Sequence, residues 1–260
     1  METDFDSLMK EAMRRPFVGW DVSYGGRIET VPPWDFDAIV DRAARVSPDL
    51  LDLGTGGGEW LAARPHLPRR TVATEGWPPN VPVAGARLAP LGIEVVAVDG
   101  APDNVDQDAG PEGGALPFAD GAFHLVVSRH ESYLPGEVRR VLTPTGLFLT
   151  QQVGSGAADD FYRLLGEAAP PVPTVWNLAF AVRQVRNAGL VVEEQAEGFE
   201  TMVFADIGAL AWYLANLPFV YPDFSIAGAR DVLRRLHEEN CRGRPLKVRQ
   251  PLFWFRACRS

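Results

Sequence analysis

Cysteine, lysine and long apolar runs are all scarce in this 260-residue chain, and each shortage excludes something. The two cysteines, Cys241 and Cys258, form neither a metal-ligand spacing nor a disulfide framework, so no metal site is expected and a reducing, cytoplasmic setting is. No apolar run approaches the roughly 18 residues that a membrane span needs. The acidic start, Met1 to Asp6, has no apolar segment of the kind a signal peptide carries. Lys10 and Lys247 are the only lysines among 25 basic residues, and 34 acidic residues outnumber them to leave a net charge of −9. That balance argues against a general nucleic-acid binder. The basic charge is also uneven. From Ser225 to Ser260 nine Arg/Lys stand against three Asp/Glu, which reads as a solvated helix face or as a site for an anionic substrate.

Glycine, by contrast, is concentrated in one place. The run Leu50-Leu51-Asp52-Leu53-Gly54-Thr55-Gly56-Gly57-Gly58-Glu59-Trp60-Leu61 is apolar, stops in a glycine-rich turn and restarts as a helix. Glycine reaches φ > 0 and lacks a Cβ, so a ligand can lie against the main chain where a strand gives way to a helix N-terminus. Val72-Ala73-Thr74 reads as the next short strand and ends in Glu75, an acid about 20 positions on that suits a ribose diol. Together these features point to a nucleoside-containing cofactor on a doubly wound α/β sheet.

The rest of the chain supports that architecture. Helices are expected at 5–15 and 35–46, joined by a Gly/Pro/Trp-bearing connection from Phe17 to Pro33. Seven strands follow, at 49–53, 71–75, 93–98, 123–128 and 146–153, from Leu190, and at 247–257. Most alternate with helices, at 57–63, 80–90, 135–142, 157–167 and 176–188, as in a mostly parallel sheet. Ala101 to Gly114, rich in Pro, Gly and acids, reads as a surface loop. Two helices are expected within 206–240, around the Pro218–Pro222 break. Pro251 inside the last strand suggests an edge position or a bulge. The expected organisation is one domain: an N-terminal helical arm (1–47), a cofactor-binding core (48–200), a helical cap inserted before the last strand (201–246) and the final strand (247–260).

Four motifs in order give the chain a family likeness. Leu51-Asp52-Leu53-Gly54-Thr55-Gly56-Gly57-Gly58-Glu59 resembles D-x-G-x-G-x-G, and Glu75 stands where a ribose-binding acid belongs. Leu116-Pro117-Phe118-Ala119-Asp120-Gly121-Ala122-Phe123-His124-Leu125-Val126-Val127 resembles L-P-F-x-D-x-x-F-D-x-V-x, with His124 at the usual Asp. Glu137-Val138-Arg139-Arg140-Val141-Leu142-Thr143-Pro144-Thr145-Gly146 resembles E-x-x-R-V-L-x-P-G-G, with Thr145 at a usual Gly. The stretch 49–153 is thus similar to class I S-adenosylmethionine-dependent methyltransferases of the type 11 kind. The resemblance implies a Rossmann-like sheet, S-adenosylmethionine as cofactor and S-adenosylhomocysteine as product.

It also implies site residues. Cofactor contacts fall on Asp52, Gly54, Thr55, Gly56, Gly58, Glu75, Gly76, Trp77, Asp99, Gly100 and Ser128, with Trp77 stacking on adenine and Asp99, rather than Glu112, accepting from its amine. His130 is a candidate general base and Arg129 a candidate for steering an anion, since both follow the fourth strand of the core. Trp20, Trp34, Tyr133, Trp212 and Tyr213 are candidate acceptor contacts, because aromatic-lined pockets suit ring-bearing small molecules. The implied partner is a small-molecule methyl acceptor, for a monomer or homodimer. Alternatives are an rRNA or tRNA methyltransferase, suggested by the basic tail, and a non-catalytic nucleoside-binding protein. A nicotinamide-dependent oxidoreductase fits less well, because the glycine run gives way to Glu59-Trp60 before a G-x-G-x-x-G spacing completes.

Overall fold

Five successive buried side chains, Asp49 to Leu53, identify a strand covered on both faces, which is the signature of a parallel sheet interior. The computed structural model describes residues 4–106, 113–172 and 174–259. In it that strand, β2 (Asp49–Leu53), lies between β3 (Arg70–Glu75) and β5 (Phe123–Arg129), parallel to both. β4 (Glu94–Ala97) extends the sheet beyond β3, and β6 (Leu142–Val153) extends it beyond β5, again in parallel. Antiparallel pairing takes over from there: β8 (Leu246–Arg259) lies beside β6, β7 (Leu190–Phe204) beside β8, and β1 (Ile28–Val31) beside β7. The order is β1-β7-β8-β6-β5-β2-β3-β4.

The sheet therefore has eight strands rather than the expected seven, and three of its seven pairings are antiparallel. The added strand, β1, lies in what reads as a connection. Only Ile28 of its four side chains is buried, so no alternation marks it, and its pairing with Thr201 to Phe204 exists only because β7 runs on that far. The last strand is not at an edge either. Pro251 sits inside β8, opposite Phe199 of β7, and on the other side its carbonyl accepts from Gly154, just past the end of β6. Its missing N–H thus faces the point where β6 leaves the sheet, and no ladder bond is lost.

The arm and the cap form one apolar unit. α1 (Phe5–Arg14) is capped by Asp4 and buries Phe5, Leu8, Met9 and Ala12. It packs on α8 (Ile207–Asn216), which is apolar all round and capped by Asp206. Arg27 joins them, bidentate on Asp206 and paired with Glu11. The basic tail is largely spoken for: in α9 (Arg230–Cys241) Arg230 and Arg234 pair with Asp6 and Arg235 with Glu239, while Arg256 in β8 meets Glu193 and Glu194. Within the expected surface loop at 101–114, Glu112 lies outside the described residues. Asn104 is buried, accepting from Tyr133 N–H and, through its carbonyl, from Gln184.

One arginine locks two motifs together. Arg140, in α5 (Pro135–Val141), donates to the carbonyls of Leu116 and Phe118 and to Glu137, whose carboxylate also accepts from Leu116 N–H. Charge-assisted bonds of this kind carry about 1.5–3 kcal/mol, so Arg140→Ala is expected to lower unfolding stability by about that amount in urea titrations. An unchanged midpoint would mean that the guanidinium clamp contributes nothing to the fold.

Candidate functional site

The chain leaves β2 through Gly54 and Gly56, both with φ above +60°, and enters α3 (Glu59–Ala62). A side chain at either glycine would collide with a neighbour: Glu131 lies over Gly54, and Trp20 Cβ lies 2.8 Å from where a Gly56 Cβ would be. Glycine is required here for close approach as well as for φ. Thr55 N–H bonds back to the Thr74 carbonyl, which ties the turn to β3.

Beneath the turn is Glu75, buried at the end of β3. Burial raises its pKa, while the backbone N–H groups of Trp77, Gly56 and Gly76 favour its charged form; the Trp77 bond is 2.8 Å. Asp52, on β2, is almost fully enclosed, and its carboxyl is pushed up to about 7 by that burial. The neighbouring Thr55 hydroxyl favours its charged form, and Asp52 Oδ2 and that hydroxyl have no further hydrogen-bond partner among the described residues. A third acid joins them. Burial and the nearby Glu75 push Glu131 up to about 7 as well. The loop that carries Glu131 is held through its carbonyl by Ser128 Oγ and by Gln152 Nε2.

A cleft opens to solvent beside these acids, lined among others by Gly54, Thr74, Gly76, Asp99, Gly100 and Glu131. Gly76 and Gly100 approach so closely that a Cβ on Gly76 would fall 3.1 Å from Gly100 Cα. Asp99 is exposed at the rim. Trp77 is 64% exposed and its ring does not line the cleft. Gly58, the last of the glycines, instead faces Leu88 of α4 (Asn80–Leu88).

The two residues after β5 behave differently from each other. His130 has φ +62°, and its Nε2 lies 3.1 Å from the Gln151 amide nitrogen, while its N–H donates to the Gln151 carbonyl. Burial and the adjacent Arg129 lower its pKa to about 3. A neutral imidazole whose ring nitrogen already accepts a hydrogen bond is poorly placed to take a proton near neutrality. Arg129 is half-buried, has its pKa lowered first by burial, and lies 5.8 Å over the Trp60 ring.

The aromatic candidates separate into two groups. Trp212 is a core residue: its indole donates to the Arg15 carbonyl and its ring packs on Tyr24 and Phe17. Tyr213 is likewise buried, stacked on Phe161 and edge-on to Phe204. Both side chains are engaged in packing the cap against its neighbours. Tyr133 packs on Phe148 and also lines the cleft. Trp20 lies against the glycine turn and stacks on Phe219, and Trp34 donates to Gln151 Oε1. Glu131 was not anticipated. It lies in no motif, and only the path of the loop after β5 carries it over Gly54.

The raised acids make a test. Asp52 is protonated in the fold up to about pH 7 but ionises near pH 4 when unfolded, so its contribution is complete at low pH and is lost as pH rises to 7. Glu131 acts in the same sense. His130, with a lowered pKa, acts in the opposite one: its contribution is lost as pH falls from 6.5 toward 3. Comparison with Asp52→Asn isolates one group. The stability of the unsubstituted protein relative to this variant should fall between pH 5 and pH 7 by roughly 1.4 kcal/mol per pH unit at most, then level off. Equal pH dependence of the two proteins in urea would show that Asp52 titrates normally.

No family model and no curated protein matches the chain. Solved structures do match. A candidate methyltransferase from Bacillus halodurans C-125 is 19% identical, over 85% of this chain and 97% of its own, with a TM-score of 0.55. The YcgJ protein of Bacillus subtilis is 16% identical over 86% and 98% of the two chains, and a protein of unknown function from Deinococcus radiodurans R1 is 14% identical over 89% and 92%; both have TM-scores of 0.53. The likeness is one of architecture, and the chain has the fold of the class I methyltransferases.

Proposed function

We propose that the protein is an S-adenosylmethionine-dependent methyltransferase acting on a ring-bearing or otherwise apolar small molecule. The observation that carries this reading is the glycine turn with Asp52, Glu75 and Glu131 gathered around it. Burial raises the pKa of all three carboxyl groups, Glu75 adds to the shifts of Asp52 and Glu131, and the ligand that relieves them is a cation. S-adenosylmethionine supplies two positive centres, an ammonium and a methyl-bearing sulfonium that is already an activated electrophile.

The residues present fit that cofactor. The cleft bounded by Gly54, Gly76, Asp99 and Gly100 would take the nucleoside, and Glu75 has the two acceptor oxygens a ribose diol needs. Asp52 Oδ2 and the Thr55 hydroxyl, with no further partner among the described residues, would serve the amino-acid end. Glu131 lies across Gly54 and would turn aside or ion-pair as the cleft fills. The protein's task is then mainly to align the acceptor with the methyl group, and orientation of this kind can supply about 7–11 kcal/mol. This reading assigns no proton transfer to His130.

Isothermal titration with S-adenosylmethionine, S-adenosylhomocysteine and NADH tests the assignment. Micromolar binding of the first two without the third is expected, and tightening as pH rises through 7, because a cation binds the ionised acids. Glu75→Ala should weaken S-adenosylhomocysteine binding by about 1.5–3 kcal/mol. Binding of NADH alone, or of none of the three, would overturn the reading.

A further inference from the structure

Arg129, at the end of β5, has the Trp60 ring beside it but no acceptor for its guanidinium among the described residues. No hydrogen bond and no ion pair within 4 Å joins its guanidinium to any described residue, although burial already lowers its pKa. Of the acids around it, Asp37 and Glu200 are engaged elsewhere. Asp37 accepts from the Trp60 indole at 2.7 Å and from Arg64, and Arg64 also faces Asp41. Glu200, buried on β7, accepts from Gln250. Asp52 pairs in register with Val127, one side-chain step below Arg129 on the same face of the sheet. Five donors in a rigid planar fork, half-buried and with no acceptor among the described residues, are open to an incoming oxyanion.

We infer that Arg129 holds an anionic group, a carboxylate or a phosphate, on the ring-bearing acceptor. The inference rests on the methyltransferase reading and narrows its substrate class. Arg129 ends β5, beside the acids assigned to the cofactor's cationic end, so an anion bound there lies next to the methyl donor. The surroundings suit a ring: the Trp60 indole lies under the guanidinium, and Trp34 stands nearby on Gln151, the register partner of Arg129. A planar guanidinium matches either oxyanion with two parallel bonds, which a lysine in its place would not reproduce.

The test uses the protein saturated with S-adenosylhomocysteine and titrated calorimetrically with 4-hydroxybenzoate, its neutral isostere 4-hydroxybenzamide, and phenyl phosphate. At least one anion should bind ten times more tightly than the amide, and whichever of the two binds better identifies the oxyanion. Arg129→Gln should abolish that preference while S-adenosylhomocysteine affinity stays within twofold, and Arg129→Lys should restore part of it. Comparing acid with amide needs no variant, so a misfolded substitution does not spoil the test. Equal binding of acid and amide, no binding by either anion, or an unchanged preference in a folded Arg129→Gln protein would each overturn the assignment. Failure of S-adenosylhomocysteine to bind in the first titration would instead overturn the underlying methyltransferase reading, and the inference with it.

Discussion

Buried carboxyl groups crowd one glycine turn, and much of the site's arrangement follows from how their charge is tolerated. Glu75 stays at the end of β3 because main-chain N–H groups from the turn and from the start of the next segment converge on it. That convergence requires the turn to run flat across the strand ends, which in turn requires residues without a Cβ at Gly54 and Gly56. Asp52 and Glu131 then add two acids that no arginine or lysine among the described residues meets within ion-pair distance. A fold that spends stability on such a cluster has a reason outside the unliganded protein, and a cationic ligand supplies one.

The arm and the cap complete the enclosure from the opposite direction. α1 buries its apolar stripe against α8, with Arg27 pinning the two at Asp206 and Glu11. The connection leaving α1 brings Gly19 and Trp20 over the glycine turn, where the Trp20 N–H also meets Glu59. The part of the chain that covers the turn is therefore held by the part that packs the cap. Trp212 and Tyr213 belong to that packing, and their aromatic surface stabilises the roof rather than forming it.

The basic tail shows how little a charge count says about use. Its nine arginines and lysines read equally well as an anion site or a solvated face. In the fold several of them meet Asp6, Glu239, Glu193 and Glu194, contacts that lie far away in sequence or on the helix's own surface. A cation without an acceptor among the described residues lies beside the site at Arg129, where a Ser-Arg-His-Glu run ends a central strand.

The turn at 54–58, Glu75 at a strand end and the alternation of core strands with helices were legible in the sequence, because each depends on residues adjacent or regularly spaced along the chain. Glycines mark φ > 0, and an unbroken apolar run marks a strand buried on both faces. The β1 strand was not legible, since three of its four side chains are exposed and its existence depends on the length of β7. Nor was the interior position of β8, whose proline is harmless only because β6 ends beside it. Glu131 over Gly54, the neutral His130 held by Gln151 and the half-buried guanidinium of Arg129 were settled by tertiary structure alone. Charge state and partnership depend on which distant groups share a low-dielectric space, and only the folded chain decides that.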